Sequence, residues 1–288
     1  MSLLVIDIGG SSVKSAIFEE TLSDYRTFQS PSSWEEMREK LDETIVYYLE
    51  NYEVLALSFS VPAIPNQETG EIKGASSLRY IHGFSFREYF EKNYGLPVYF
   101  ENDAVCACKA ETSLGAARGA ENALFLVIGT GIGGVILSNG EVQPGAHHFS
   151  GEFGMMLIDK GKEWSELGSA VHMARKFSKL KGKEYQGREV FALAEAGDKD
   201  AIQATEELYY YLALGIYNLQ YMIDPERFIL GGGITNNVKL ISNIERKLSE
   251  IMSYGQRCPI TPKIVKAVFG NDANLIGAGI LAIETQNK

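Results

Sequence analysis

The chain has 288 residues, 45% hydrophobic and 22% charged, and its 27 Lys plus Arg against 37 Asp plus Glu give a formal net charge of −10. This is a globular composition with room for two ordinary domains, and its acidity argues against nucleic acid as a partner, since that affinity comes largely from cations neutralising phosphates. No apolar run approaches the roughly 20 residues of a membrane helix, no basic-then-apolar leader is present, and Cys106, Cys108 and Cys258 show no disulfide spacing, so a reduced cytoplasmic setting without a membrane is expected.

In chain order, the β-branched run Leu3–Ile8 predicts a strand that breaks at Gly9–Gly10, after which Val13, Ala16, Ile17 and Phe18 resume as the return arm of a hairpin. Trp34 to Glu50 carries apolar residues at helical spacing, and Val54–Val61 is short enough for a buried strand. A loop-rich stretch runs from Pro62 to about Phe84. Phe86–Tyr94 predicts a short helix stopped by Gly95 and Pro97. Val98–Phe100 predicts a strand ending at Glu101-Asn102-Asp103, with a small-residue helix from Ala104 to about Leu114. Leu124–Ile128, a glycine turn and Val135–Leu137 then repeat the opening strand–turn–strand unit, which suggests a duplicated architecture. Helices follow over Ser165–Lys179, Gly187–Ala196 and Lys199–Ile223. Phe228–Leu230 predicts a strand entering a third glycine turn, and Ala273–Glu284 a last helix. Strands mixed with helices in this way indicate α/β domains.

Four segments carry residues able to do chemistry. In Asp7-Ile8-Gly9-Gly10-Ser11-Ser12-Val13-Lys14, the two glycines allow a sharp turn whose amides approach an anion. Ser11 and Ser12 add hydroxyls, Lys14 adds charge, and Asp7 at a strand end is placed to hold a hydrated Mg²⁺. By itself the segment reads equally as a hairpin with a buried capping aspartate. Gly129-Thr130-Gly131-Ile132-Gly133-Gly134 has four glycines in six residues, more than a hairpin requires, and a second phosphate loop would explain them. It is not a dinucleotide fingerprint, because a strand rather than a helix follows, and it lacks the Lys-Ser/Thr of a P-loop. Gly231, Gly232 and Gly233 leave a flat backbone surface for a planar base, although a plain loop accounts for them as well. Asn102 and Asp103 taken alone read first as a helix cap; the alternative makes Asp103 a base and Asn102 a group that orients substrate hydroxyls.

The order of these motifs, with Gly151-Glu152-Phe153-Gly154 between the second and third glycine turns, resembles the actin-like sugar kinases, and within them the ROK family. The resemblance covers essentially the whole chain. It implies two ribonuclease-H-like α/β domains flanking an active-site cleft: residues 1–113 with 273–288, and residues 114–272. It further implies an ATP-dependent kinase that transfers the γ-phosphoryl group to a sugar hydroxyl, the primary 6-hydroxyl above all. Asp7, Gly9, Gly10, Ser11, Ser12 and Lys14 would grip ATP-Mg²⁺ together with Gly129, Thr130, Gly131 and Gly133. Gly231–Gly233 would lie beside the adenosine, and Asn102, Asp103 and Glu152 would hold the sugar, with Asp103 receiving the proton. Glu166 is the best match to a second sugar-facing glutamate, and an exposed helix glutamate is an equal reading of it. Ser76, Ser77 and His82 are further candidates at the sugar.

The chain departs from the usual family pattern at Met155, where most members carry a histidine that serves both the sugar and a structural zinc. The cysteines that complete such a site are missing as well, so no structural zinc is expected. His147, His148 and His172 read better as surface or packing residues. The Gly151–Met156 segment, Tyr80–Phe84 and Gly270–Gly277 are similar to the zinc-less β-glucoside kinase branch, which implies a glycoside or disaccharide as substrate. A glucokinase, an N-acetylmannosamine kinase and a silent sugar-binding sensor are the alternatives. A transcriptional repressor would need a DNA-binding domain ahead of the first strand. An actin-like chaperone is generally longer. Dimers are frequent in the family.

Overall fold

The computed structural model describes residues 2–74, 76–147, 149–254 and 259–286; His148 and Cys258, both named above, lie outside them. The strands and helices follow in order as β1 (Ser2–Ile8), β2 (Ser12–Phe18), β3 (Leu22–Gln29), α1 (Trp34–Asn51), β4 (Val54–Val61), β5 (Ile64–Pro65), β6 (Ile72–Lys73), α2 (Phe86–Tyr94), β7 (Val98–Asn102) and α3 (Asp103–Ser113). They continue as β8 (Ala123–Ile128), β9 (Ile132–Ser138), β10 (Glu141–Val142), β11 (Leu157–Asp159), β12 (Lys162–Glu163), α4 (Trp164–Gly168), α5 (Ala170–Lys181), α6 (Gly187–Glu195) and α7 (Lys199–Ile223). The last are β13 (Arg227–Gly231), α8 (Leu240–Tyr254), β14 (Ile264–Lys266) and α9 (Ala273–Gln286). The chain divides into two compact units, Met1–Gly115 with Asn271–Lys288, and Ala116–Gly270.

The first unit holds a five-stranded sheet in the order β3-β2-β1-β4-β7, and the second a sheet in the order β10-β9-β8-β13-β14. In each sheet the first three strands of the chain form an antiparallel meander, and two further strands add in parallel beyond the first of them. The two units therefore share one topology, as the repeated strand–turn–strand pattern suggests.

Both faces of the first sheet are covered, which explains why β1 reads as an unbroken apolar run rather than an alternation. Leu4, Ile6 and Ile8 pack with Met37, Leu41 and Ile45 of α1 and with Phe86 and Phe90 of α2. Leu3 and Val5 face the other way, into a layer with Cys106 of α3 and Leu275, Ala278 and Ala282 of α9. By the two-residue period of a strand, Asp7 continues this second row. The same period in β4 sends Leu57, Phe59 and Val61 to the α1 side, and Ala56, Ser58 and Ser60 to the α9 side.

The predicted helix over Ser165–Lys179 is two helices. Ser169 adopts extended backbone between α4 and α5 and caps the second through its hydroxyl, which accepts from the His172 amide. Periodicity runs through such a break because the apolar face continues across it. The strand β3, the helix α8 and the strand β14 are further elements that the motif-led reading did not register.

Candidate functional site

The site of the first unit gathers at the ends of β1, β4 and β7. Asp7 is 5% exposed, and Ser60 Oγ (2.8 Å) and Asn274 Nδ2 (3.0 Å) both donate to its Oδ1. Two neutral donors on one oxygen leave Oδ2 for a ligand, a donor set that suits a hard divalent cation. Lys14 lies directly across the β1–β2 ladder from Asp7, and its Nζ reaches the Asn271 carbonyl at 3.4 Å.

The turn between those strands is closed by the Gly9 amide donating to Ser12 O (3.1 Å) and by Ser30 Oγ donating to Gly9 O (2.6 Å). The Gly10 and Ser11 amides have no protein acceptor among the described residues, which leaves them available to an anion. Neither Gly9 nor Gly10 has a positive φ. Space favours glycine at position 9, where a Cβ would sit 2.9 Å from the backbone Ser12 O; a Cβ on Gly10 would sit 2.5 Å from Ser77 Oγ, which a rotation of that side chain can relieve. Ser77 is thereby placed against the first glycine turn.

Of the adjacent Asn102 and Asp103, it is Asn102 that takes the helix-cap role. Asn102 caps α3, its Oδ1 accepting from the Ala104 (3.0 Å) and Val105 (3.2 Å) amides, while its Nδ2 donates to the Ala63 carbonyl at 2.9 Å. Asp103 is the first residue of the helix, half-buried, and its Oδ1 accepts from the Ala104 amide at 2.8 Å. Burial raises its pKa above the ordinary carboxylate value, the Ala104 hydrogen bond works against this, and the nearby charge of Asp7 adds to the rise. Ser76 is engaged elsewhere: its hydroxyl bonds His82 Nε2 (2.9 Å), and His82 Nδ1 bonds the Ile72 carbonyl (2.9 Å). Both ring nitrogens of His82 are thus occupied within its own loop.

The second unit builds an analogous turn between β8 and β9. The Gly129 amide donates to Gly131 O (2.9 Å), and the Ile132 amide donates to Ser165 Oγ of α4 (2.9 Å). The Thr130 and Gly131 amides have no protein acceptor among the described residues. Backbone packs on backbone where Gly151–Gly154 meets β9: a Cβ on Gly151 would lie 2.0 Å from Gly134 O, and one on Gly154 2.2 Å from Ile132 O. This contact fixes Glu152 beside the glycine turn. Glu152 and Met155 are exposed at the two ends of one i→i+3 hydrogen bond, a spacing that puts side chains on one side of a 3₁₀ turn. Glu166 is exposed on α4.

In the third glycine turn only Gly232 has a positive φ (87°), and a Cβ there would lie 2.4 Å from Ile128 O, so this turn rests against the end of β8. Gly233 faces open space. Among the described residues, no group of three or more His, Cys, Asp or Glu is arranged to hold a metal ion, and no helix is long and apolar enough to cross a membrane.

The ROK family model matches residues 3–285. The chain belongs to the ROK family. It is 33% identical over 298 residues to the beta-glucoside kinase of Listeria monocytogenes, covering 100% of this chain and 99% of that one. Its fold superposes on a ROK family protein from Streptococcus pneumoniae in complex with sucrose, with a TM-score of 0.91, 34% identity, and coverage of 100% and 99%. The ROK hexokinase of Thermus thermophilus matches with a TM-score of 0.83, 26% identity, and 100% coverage of both chains. The reading of the sequence as a ROK-type sugar kinase with the actin-like ATPase fold therefore stands.

The motif reading missed Ser60, Asn274, Ser30 and Ser165. Asn274 lies within the Gly270–Gly277 segment singled out above, so its part in holding Asp7 had a signal. Isolated serines carry none: Ser60 differs from its neighbours only in the row of β4 that it occupies.

Proposed function

We propose that this ROK kinase transfers the γ-phosphoryl group of ATP to the primary hydroxyl of a β-glucoside or β-linked disaccharide, with Asp103 as the base. The observation that carries the glycoside reading is Met155. An exposed, flexible thioether stands one 3₁₀ turn from the exposed Glu152, an apolar surface suited to an aglycone or a second sugar ring. The full-length similarity to a beta-glucoside kinase supports the same reading.

Asn102 and Glu152 orient the sugar hydroxyls in this scheme, and Asp103 accepts a hydrogen bond from the attacking one. As the sugar oxygen bonds to the γ-phosphorus and the bond to the leaving ADP oxygen breaks, the hydroxyl proton passes to Asp103. Because the transition state is loose, alignment matters more than base strength. The two amide-lined turns, Gly9–Ser12 and Gly129–Gly133, grip the phosphates, and Gly231–Gly233 lies beside the adenosine. Asp7 Oδ2 is the group that would hold a hydrated Mg²⁺, whose charge neutralises the phosphates. The kinase works in the cytoplasm as a monomer or homodimer.

An ADP-release assay coupled to NADH oxidation tests the substrate class, with glucose, N-acetylmannosamine, fructose, cellobiose, gentiobiose, sucrose and aryl β-glucosides as acceptors. The expected result is the highest kcat/KM for a β-glucoside or β-linked disaccharide. Free glucose or N-acetylmannosamine ahead of every glycoside overturns the glycoside reading and leaves the kinase intact.

A further inference from the structure

The hydroxyl of Ser165 occupies an unusual place. It accepts the Ile132 amide hydrogen bond at 2.9 Å. A Cβ on Gly131 would come within 2.9 Å of it, and one on Gly154 within 2.2 Å. One hydroxyl thus stands where the Gly129–Gly134 turn, the Gly151–Gly154 segment and α4 meet.

Its effect on the turn follows from a single peptide unit. In the Gly131–Ile132 peptide the N–H is held by Ser165, and the C=O accepts from the Gly129 amide at 2.9 Å. A peptide is planar, so pinning both of its polar ends fixes its plane. The amides left over, those of Thr130 and Gly131, are then the ones without a protein acceptor among the described residues. Ile132 itself is 4% exposed, so water cannot readily replace Ser165 as the acceptor, and the loss of this bond leaves a buried N–H to be satisfied by turning the peptide. Ser165 is held firmly in turn. The neighbouring Trp164 is fully buried, and its indole N–H donates to the Tyr211 carbonyl at 2.8 Å.

We infer that Ser165 is a positioning residue for the nucleotide phosphates, presetting the Gly129–Gly134 turn so that its free amides face the polyphosphate. The inference rests on reading that turn as a phosphate grip. It assigns Ser165 no contact with ATP or with the sugar.

The test compares Ser165→Ala with Gly129→Ala, measuring affinity for ATP and for AMP by calorimetry and KM for the preferred sugar. Gly129 has no positive φ and nothing within 4 Å of an added Cβ, so Gly129→Ala folds normally and places its methyl on the open side of the turn. For Ser165→Ala, ATP affinity is expected to fall about tenfold, the scale of one lost hydrogen bond, with AMP affinity and sugar KM unchanged. Unchanged ATP affinity in Ser165→Ala alongside weakened ATP binding in Gly129→Ala overturns the role of Ser165 alone. Unchanged ATP affinity in Gly129→Ala overturns the phosphate-grip reading, and the inference with it. A parallel loss of ATP, AMP and sugar affinity in Ser165→Ala marks a general packing role and also overturns it.

Discussion

Gly277 offers a direct test of how the fold places Asp103. It lies on α9 where that helix meets α3, and a Cβ added there would fall 1.7 Å from the Cys106 carbonyl oxygen and 2.4 Å from its carbonyl carbon. Both groups are backbone, so no rotamer change relieves the clash. Ordinary contact begins near 3.4 Å, and Gly277→Ala must therefore part the helices locally by about 1.7 Å in an interior packed like a crystal. The helix cannot retreat freely. Ser58 Oγ donates to the Ala278 carbonyl at 2.7 Å, and Gly279 is already pressed against the Phe18 ring. Alanine favours a helix over glycine by about 1 kcal/mol, whereas overpacking costs about 1–3 kcal/mol and more against rigid neighbours. A net destabilisation of about 2 kcal/mol is expected.

Activity should suffer more than stability. Asp103 lies one turn before Cys106 on the same helix, and a misplacement of about 1 Å at a reacting group costs about 100-fold in rate. Urea unfolding by circular dichroism measures the first effect, and ADP release under saturating sugar and ATP measures the second. A variant with the wild-type unfolding midpoint and the wild-type kcat would show that the α3–α9 contact does not set the position of Asp103.

Two further substitutions probe the proposed base and the core beneath Ser165. Asp103→Asn keeps an oxygen for the Ala104 amide but cannot take a proton, so kcat should drop about 10²–10⁴-fold with little change in sugar affinity, measured by single-turnover kinetics and calorimetry; near-normal turnover removes Asp103 from the mechanism. The same variant carries a signed pH effect. The folded-state pKa of Asp103 is raised, so stability is lost as pH rises from the ordinary carboxylate value through the raised one, and the full cost is present above it. Asp103→Asn should therefore unfold at a higher temperature than wild type at neutral pH, and the gap should close as pH falls to the ordinary carboxylate range; a gap that widens on acidification contradicts the shift. Trp164→Phe removes the indole donor from the Tyr211 carbonyl and leaves a void beside Gly215, which should cost about 1–3 kcal/mol in urea unfolding. An unchanged midpoint would show that the indole hydrogen bond contributes nothing.

The sequence by itself determined the family, the α/β class and the duplicated strand–turn–strand units, because these depend on local patterns. Glycines cluster where a turn must be tight, and apolar runs of six to eight residues mark buried strands. Asp7, Asn102 and Asp103 stood out because each lies at the end of a strand, beside a glycine turn or the start of a helix. What the sequence left open were matters of contact between segments far apart in the chain. Asn102 and Asp103 are adjacent and chemically similar, and only the folded backbone separates them, giving the helix cap to Asn102 and to Asp103 a half-buried carboxyl whose pKa burial raises. The glycines at 9 and 10 look like sites of conformational freedom, yet their φ values are ordinary, and what bears on them is close contact from Ser12 and Ser77. Asn274 reaches Asp7 across 267 positions, and Ser165 reaches Ile132 across 33. A pattern reports what a residue is and what lies beside it in the chain; hydrogen-bond partners and close approaches are set by packing, which tertiary structure alone supplies.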